Sequence, residues 1–377
     1  MTADGQAATE PRPAATEPAE QPRAGVVGAS GILGGELLRI LAGHPGIALE
    51  YVAAESRAGR PATELNPHLK DAGIGDFEAF DARTAAERCD VVFVATPPET
   101  AGRAVPDLLD AGAELVVDLS PAYRVRDLDA HRRWYPDVER DEQIAATAVY
   151  GLPELHRDAI AGARAIAMPG CFATAILLAA LPLRELDGVG FDAIAIDGKS
   201  GSTGSGTKLR ESGAHIWRSN VVAPYAPRGH RHVAEVAQAL AAEGIVGGDR
   251  GPLRLGMTTY GIDLVRGLSV GLYAFFDGEL DERDLRRAYH RTYRDERFVR
   301  VQAGRGSALP LPDPKAVIGS NYCDVAGFVD DAAGRFVLIG VIDNLVKGGS
   351  GQAVQAANIR LGLPEDQGLE AIPVFPV

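Results

Sequence analysis

The sequence predicts an α/β protein: a Rossmann-type dinucleotide-binding domain followed by an α+β domain with a mixed or antiparallel sheet. Three observations carry this expectation. First, Ala24-Gly25-Val26-Val27 reads as a short strand that runs into the glycine-rich stretch Gly28–Gly35 and then a helix, Glu36–Leu41. Strand, glycine turn, helix is the context in which a backbone approaches a pyrophosphate. Second, Leu49–Ala53, Asp90–Ala95 and Leu115–Leu119 follow as further short buried strands. Third, the later strands Leu255–Thr259, Leu268–Phe276 and Arg335–Val341, with a helix over Asp281–Tyr293, suggest a broader sheet of another kind. At 377 residues two domains are expected. They are placed at 24–170, completed by 342–377, and at 171–341, the catalytic and dimerisation domain. A broad sheet of this kind often packs against its own copy, so a homo-oligomer, dimer or tetramer, is expected.

Composition narrows the function classes. A net charge of −13 argues against a general nucleic-acid binder, while leaving room for a local basic pocket. Three cysteines, Cys89, Cys171 and Cys323, are too few for a disulfide framework, which points to a reducing, cytoplasmic location. No apolar run is long enough to span a bilayer. Met1–Arg23, rich in Ala, Pro and Glu, reads as a disordered tail.

Taken in order, Gly28-Ala29-Ser30-Gly31-Ile32-Leu33-Gly34 is the candidate cofactor loop, with Gly-x-x-Gly-x-x-Gly spacing. A tight turn with close helix packing would use the same glycines. After the second strand, Glu55 suits a ribose hydroxyl of NAD, whereas Ser56, Arg57 and Arg60 suit a 2′-phosphate. The balance favours NADP. Leu115–Leu119 ends near Arg124, an anion ligand or a surface arginine.

Met168-Pro169-Gly170-Cys171-Phe172-Ala173-Thr174-Ala175 opens an apolar helix that continues through Leu183. Pro and Gly break what precedes, so Cys171 falls at the first turn. Unpaired amides and the helix dipole favour a thiolate there, making Cys171 either a nucleophile or a small buried hydrophobe. Gly198–Gly206, after a strand at Phe191–Ile196, is a flexible polar loop that wraps a substrate or serves as a linker. Arg228-Gly229-His230-Arg231-His232 precedes a helix, Val233–Glu243. No third ligand stands near the two histidines and the arginines repel cations, so no metal is expected. An acid/base in an anion pocket fits better. Asn344–Gly351 is a second glycine loop, ahead of a helix at Gln352–Leu361.

Gly28–Gly34, Tyr150–Leu155, Pro169–Ala175, Gly229–Glu235 and Ile342–Gln355 together resemble the N-acetyl-γ-glutamyl-phosphate reductases of arginine biosynthesis, with aspartate-semialdehyde dehydrogenase as a more distant relation. Ala173 departs from the usual Gly-Cys-Tyr-Pro-Thr-Ala and looks like the lysine-biosynthesis branch, whose substrate is tethered to a small acidic carrier protein. The resemblance implies an NADPH-dependent acyl-phosphate reductase that forms a semialdehyde through a thioester on Cys171. It implies His230, or its neighbour His232, as acid/base and Arg124 as a substrate-anion ligand. Ser200, Gly201 and Arg231 are further substrate candidates. The loop at Gly28–Gly34 and Asn344 would border the cofactor. The partner is a small acyl phosphate, free or presented by the carrier; Arg210, Arg218 and Arg228 are candidates for a docking surface. A non-catalytic NADP-binding sensor is the reading of another class, against which Cys171 and His230 together argue.

Overall fold

Two sheets, each built by a different connection rule, divide the chain. The computed structural model describes residues 21–186, 189–206, 211, 214–247, 251–276, 280–302 and 311–375. Most of the expected tail, residues 1–20, lies outside them. The first strand already begins at Arg23, one residue inside the expected tail.

The first sheet comprises β1 (Arg23–Val27), β2 (Ala48–Ala53), β3 (Val91–Val94), β4 (Val116–Asp118), β5 (Val149–Tyr150) and β6 (Ala165–Ala167), in the order β2-β1-β3-β4-β6-β5. Every pairing in it is parallel. Parallel neighbours require crossovers, which cover both faces. Two apolar clusters accordingly lie on this sheet, around Leu37, Leu38 and Phe93 on one side and Tyr51, Val92 and Leu108 on the other. The second sheet comprises β7 (Phe191–Ser200), β8 (Val222–Pro224), β9 (Arg254–Ile262), β10 (Leu268–Phe276), β11 (Val299–Val301), β12 (Cys323–Asp330) and β13 (Arg335–Ile342), in the order β11-β12-β13-β10-β7-β9-β8. It is mixed: β7/β9 and β11/β12 run parallel, the other pairs antiparallel.

The helices are α1 (Ile32–Ala42), α2 (Ala82–Arg88), α3 (Pro98–Asp110), α4 (Leu128–Trp134), α5 (Glu142–Thr147), α6 (Pro153–Ala161), α7 (Cys171–Ala180), α8 (His215–Arg218), α9 (His232–Ala242), α10 (Glu282–Tyr293) and α11 (Gly351–Arg360). α7 is buried at every position after Cys171. It lies hard on the second sheet: a Cβ on Gly340 of β13 would sit 2.6 Å from Ala175 O. α11 returns to the first sheet, where Ala353, Val354, Ala356 and Ala357 join the cluster around Leu37. Among the described residues no helix is long and apolar enough to cross a membrane.

Several local expectations shift. Ile32–Gly35 belong to α1 rather than to the turn before it. Cys89 caps the end of α2, just ahead of β3. Gly198–Ser200 finish β7, paired on both sides, so the polar loop begins only at Gly201. The second glycine stretch is no open loop: Val346–Ser350 form a buried π-helical turn.

Candidate functional site

The site forms where α7 begins. Gly170 is the helix cap, with extended φ −71° and ψ 150°, and Cys171 is the first helical residue. The thiol is nearly enclosed by protein but keeps an opening to solvent. The sequence suggests a thiol acidified by its helix; the structure corrects this. Burial pushes Cys171 up from its ordinary value, and the pull of Arg124, the Phe172 N–H and Arg231 does not fully offset it. Desolvation of a thiolate outweighs half a dipole charge. The free thiol is therefore protonated at neutral pH and needs a base.

Two imidazoles pack on the residues that flank it, Gly170 and Phe172. His230 precedes α9 and His232 opens it, so they meet across a turn rather than along a strand. The His232 N–H donates to His230 Nδ1 at 3.3 Å, and the rings are 4.6 Å apart edge to face. Both lie against Phe172, the residue after the cysteine, at 5.5 and 6.0 Å. A Cβ on Gly170 would sit 2.3 Å from His232 Nε2, so only glycine lets the imidazole reach the helix cap. Burial and Arg231 hold His230 down at about 4, and His232 lies well below the usual histidine value for the same first reason. Both imidazoles are neutral at pH 7 and carry a lone pair that can accept a proton, though burial makes them weaker bases than a free histidine.

The arrangement is anchored by Glu235, one turn along α9 and fully buried. Its Oε2 accepts from Gly170 N at 3.0 Å and from Tyr150 Oη at 3.2 Å, while Oε1 lies 3.5 Å from Arg124 Nη1. Glu235 thus ties the cap of α7 to β5 and α9. It was not singled out from the sequence, where it reads as one more acidic residue of an amphipathic helix.

The two glycine stretches converge on the cysteine. At Gly28, φ is +85° and a Cβ would lie 2.7 Å from Ala95 O; at Gly34 it would lie 2.3 Å from Gly28 O. Such a cradle, emptied of side chains, fits a dinucleotide pyrophosphate. The Gly28 and Ala29 amides donate to Ala53 O, so the amides left for a phosphate are those of the first turn of α1, beyond Gly31. A Cβ on Gly348 would fall 2.8 Å from Cys171 Cβ, and one on Gly349 2.7 Å from Leu33 Cδ2. Ser350 Oγ donates to Leu33 O at 2.9 Å. One buried turn therefore touches the nucleophile candidate on one side and the cofactor cradle on the other.

The remaining candidates fall at varying distances from this centre. Arg124 is buried, with Nε donating to Met168 O and Nη2 to Leu119 O, both at 2.6 Å; Nη1 faces Glu235. Arg231 is exposed at the start of α9, 6.0 Å from the Tyr135 ring. Ser200 ends β7 and Gly201 opens the loop after it, where Gly201 N donates to Gly267 O. Asn344 joins that corner: Oδ1 accepts from Gly267 N and Nδ2 donates to Thr203 Oγ1. Ser56 and Arg57 lie on a short 3-10 turn after β2. Glu55 there is turned to Phe80 N at 3.2 Å, and Arg60 is paired with Glu64. Arg57 has no ion-pair partner among the described residues. Of the docking candidates, Arg210 lies outside the described residues, Arg218 turns to Ile262 O at 3.4 Å, and Arg228 is exposed.

Comparison with known proteins follows the same division. Residues 23–163 match the family model of the semialdehyde dehydrogenase NAD binding domain, and residues 171–344 that of the semialdehyde dehydrogenase dimerisation domain. The chain is 41% identical over 350 residues to an N-acetyl-gamma-glutamyl-phosphate reductase of Methanopyrus kandleri, covering 92% of this chain and 97% of that protein. It is 36% identical to the LysW-L-2-aminoadipate/LysW-L-glutamate phosphate reductase of Sulfurisphaera tokodaii, covering 94% and 99%. Among solved structures, aspartate semialdehyde dehydrogenase II of Vibrio cholerae superposes with a TM-score of 0.67 at 16% identity, over 91% of this chain and 99% of that one. An aspartate semialdehyde dehydrogenase of Candida albicans with NADP gives 0.60 at 18%, over 90% and 98%.

Proposed function

The chain belongs to the semialdehyde dehydrogenase family, and from that premise we propose that it reduces an acyl phosphate of an N-blocked acidic amino acid to the semialdehyde with NADPH. The observation that carries this reading is the junction at Cys171: a thiol at a helix start, neutral imidazoles against its two flanking residues, and the cofactor cradle one buried turn away. Nicotinamide, when bound, supplies hydride. Every other task falls to the chain. His230 or His232 takes the Cys171 proton, and Sγ attacks the acyl carbonyl and expels inorganic phosphate, leaving a thioester. Arg231 offsets the departing charge, and Arg124, held by Met168 O, Leu119 O and Glu235, adds its positive field. After reduction the C–S bond breaks, the semialdehyde leaves and the thiolate is restored. NADP is favoured over NAD because Arg57 is free for a 2′-phosphate while Glu55 is engaged with backbone.

A specific observation favours a carrier-bound substrate. Arg126, Arg132, Arg133, Arg228 and Arg231 are exposed and without ion-pair partners among the described residues, on a chain of net charge −13. α4 and the histidine turn are neighbours: a Cβ on Gly229 would lie 3.7 Å from the Trp134 ring. This basic rim flanks the histidine turn and suits an acidic carrier, together with Ala173. The open face of the second sheet is the surface for a homo-oligomer. The test compares turnover of free N-acetyl-γ-glutamyl phosphate with carrier-bound acyl phosphates at low and moderate salt, beside Cys171→Ala. Loss of turnover in a folded Cys171→Ala is expected, and a carrier advantage that shrinks with salt. Turnover by Cys171→Ala sinks the covalent mechanism. Efficient use of the free substrate with no gain from a carrier removes the carrier.

A further inference from the structure

Glu154 and Lys347 take no part in the chemistry above. In the structure they meet. Lys347 is fully buried, and its Nζ donates to Glu154 Oε1 at 2.5 Å and to Gln355 Oε1 at 2.8 Å. Gln355 also accepts from Asn321 Nδ2 at 2.9 Å and donates to Glu365 Oε1 at 2.7 Å. The Glu154 side chain is 1% exposed. Glu154 sits on α6, which connects β5 to β6 of the first sheet, whereas Lys347 follows β13, the last strand of the second in sequence. The pair thus bolts the π-turn that follows β13 to α6 of the dinucleotide-binding domain.

A buried ion pair is seldom the cheapest way to stabilise a core, because desolvation offsets the attraction and packed hydrophobic groups often do as well. Its advantage is fixed geometry: a charged hydrogen bond has one good distance and few good directions. Here the fixed residue lies in a π-turn, closed by Gly348 N to Asp343 O at 3.0 Å and Ser350 N to Leu345 O at 2.7 Å. Such turns recur at functional sites. The residues directly after Lys347 are Gly348 against Cys171, and Gly349 and Ser350 against Leu33. A shift of the Lys347 anchor moves the floor of the nucleophile and the wall of the cofactor cradle together.

We propose that the buried Lys347–Glu154 pair is a positioning clamp that sets the π-turn 346–350 between Cys171 and the cofactor cradle, so that thiol accessibility and cofactor affinity are coupled through it. This rests on the reading of Cys171 as nucleophile and of Gly28–Gly34 as cofactor cradle. The clamp touches neither reacting group itself and acts through the turn.

The test uses the full chain and two readouts outside turnover: alkylation of Cys171 by iodoacetamide in cofactor-free protein, and NADPH affinity by fluorescence titration. The first variant is Lys347→Met/Glu154→Gln, which removes both charges so that none is left buried alone. The second is Glu154→Asp, which keeps the charge and retracts the carboxylate by a methylene. With far-UV circular dichroism and a cooperative melt retained, the double variant should alkylate at least about threefold faster and bind NADPH about tenfold more weakly, as expected when a supporting contact slips by a fraction of an ångström. Glu154→Asp should shift both in the same direction by less. A merely structural pair would lower the melting temperature and leave both readouts within about twofold of the parent; that result overturns the clamp, as does movement of one readout alone. If the double variant fails to fold, Glu154→Asp decides by the same criteria. Cys171→Ala separates the two claims: if it retains turnover, the nucleophile reading fails, and if it is inactive while the clamp variants behave as parent, only the clamp fails.

Discussion

Gly348→Ala perturbs the site with a single methyl group, and the structure states where that methyl goes. The added Cβ would sit 2.8 Å from Cys171 Cβ and 3.0 Å from Ile342 Cδ1. Carbon atoms pack comfortably at about 3.5–4.0 Å, so a relief of roughly 0.5–1 Å is needed. Ile342 ends β13 and is fully buried, and the Cys171 Cβ belongs to the first turn of a helix packed on the sheet. The Ile342 Cδ1 tip has little room in a fully buried residue, and the Cys171 Cβ is fixed by its helix backbone. Overpacking of this kind costs about 1–3 kcal/mol of stability. A nucleophile displaced toward 1 Å loses on the order of a hundredfold in rate. The expected outcome is a folded enzyme, modestly less stable, with kcat for acyl phosphate down about ten- to a hundredfold and cofactor KM little changed. Gly349→Ala is the contrast. Its Cβ would meet Leu33 Cδ2 at 2.7 Å, the tip of a flexible side chain on the cradle, so cofactor KM should rise with kcat less affected. Steady-state kinetics with each substrate varied, and thermal melts, read both. A Gly348→Ala enzyme with parental kcat and an unshifted melt would refute the reasoning, and so would loss of the same parameter in both variants.

Three further outcomes follow from other parts of the site. His230→Asn should slow turnover by roughly 10²–10⁴-fold, the usual worth of acid–base catalysis, with His232→Asn costing less; full rate in both variants would make the turn structural. Arg57→Ala should cut the NADPH/NADH ratio of kcat/KM by about ten- to a hundredfold, the loss of one charge-assisted phosphate contact of about 1.5–3 kcal/mol, and an unchanged ratio would place the 2′-phosphate elsewhere. His131, held down from 6.5 to about 4 by burial, excludes a proton that the unfolded chain accepts, so stability falls as pH drops through that window. Its Nε2 has no partner among the described residues, and the ring bonds the Ala122 backbone, so His131→Phe costs one hydrogen bond at every pH and leaves the comparison across pH intact. Between pH 6.5 and 5 the variant should lose about 1.5 kcal/mol less stability than the parent in denaturant titrations, from the linkage of that single shift. Equal losses would show that His131 is not titrating differently on folding. Asp118, raised to about 7 by burial, works in the opposite sense but equally in both proteins, and drops out of the comparison.

What the sequence determined by itself was everything set by neighbours along the chain. Gly28, Gly31 and Gly34 announce a cradle because a glycine turn between a strand and a helix needs them within a few residues. Gly170 and Cys171 mark a helix start for the same local reason, and the apolar run behind them marks the helix as buried. The switch from short buried strands to longer ones foretold a second sheet, and its mixed pairing was within that expectation. Tertiary structure decided what depends on groups far apart in sequence. Glu235 meets Gly170 across 65 residues and Tyr150 across 85, and Lys347 meets Glu154 across 193. No local pattern marks such pairs, because a Glu on an amphipathic helix looks the same whether its face is wet or walled in. The Cys171 thiol shows the same division. Helix position, visible in the sequence, acidifies it, but enclosure by the second domain and the π-turn does the opposite and prevails, since desolvation acts on the whole charge and is known only when the chain has closed around it.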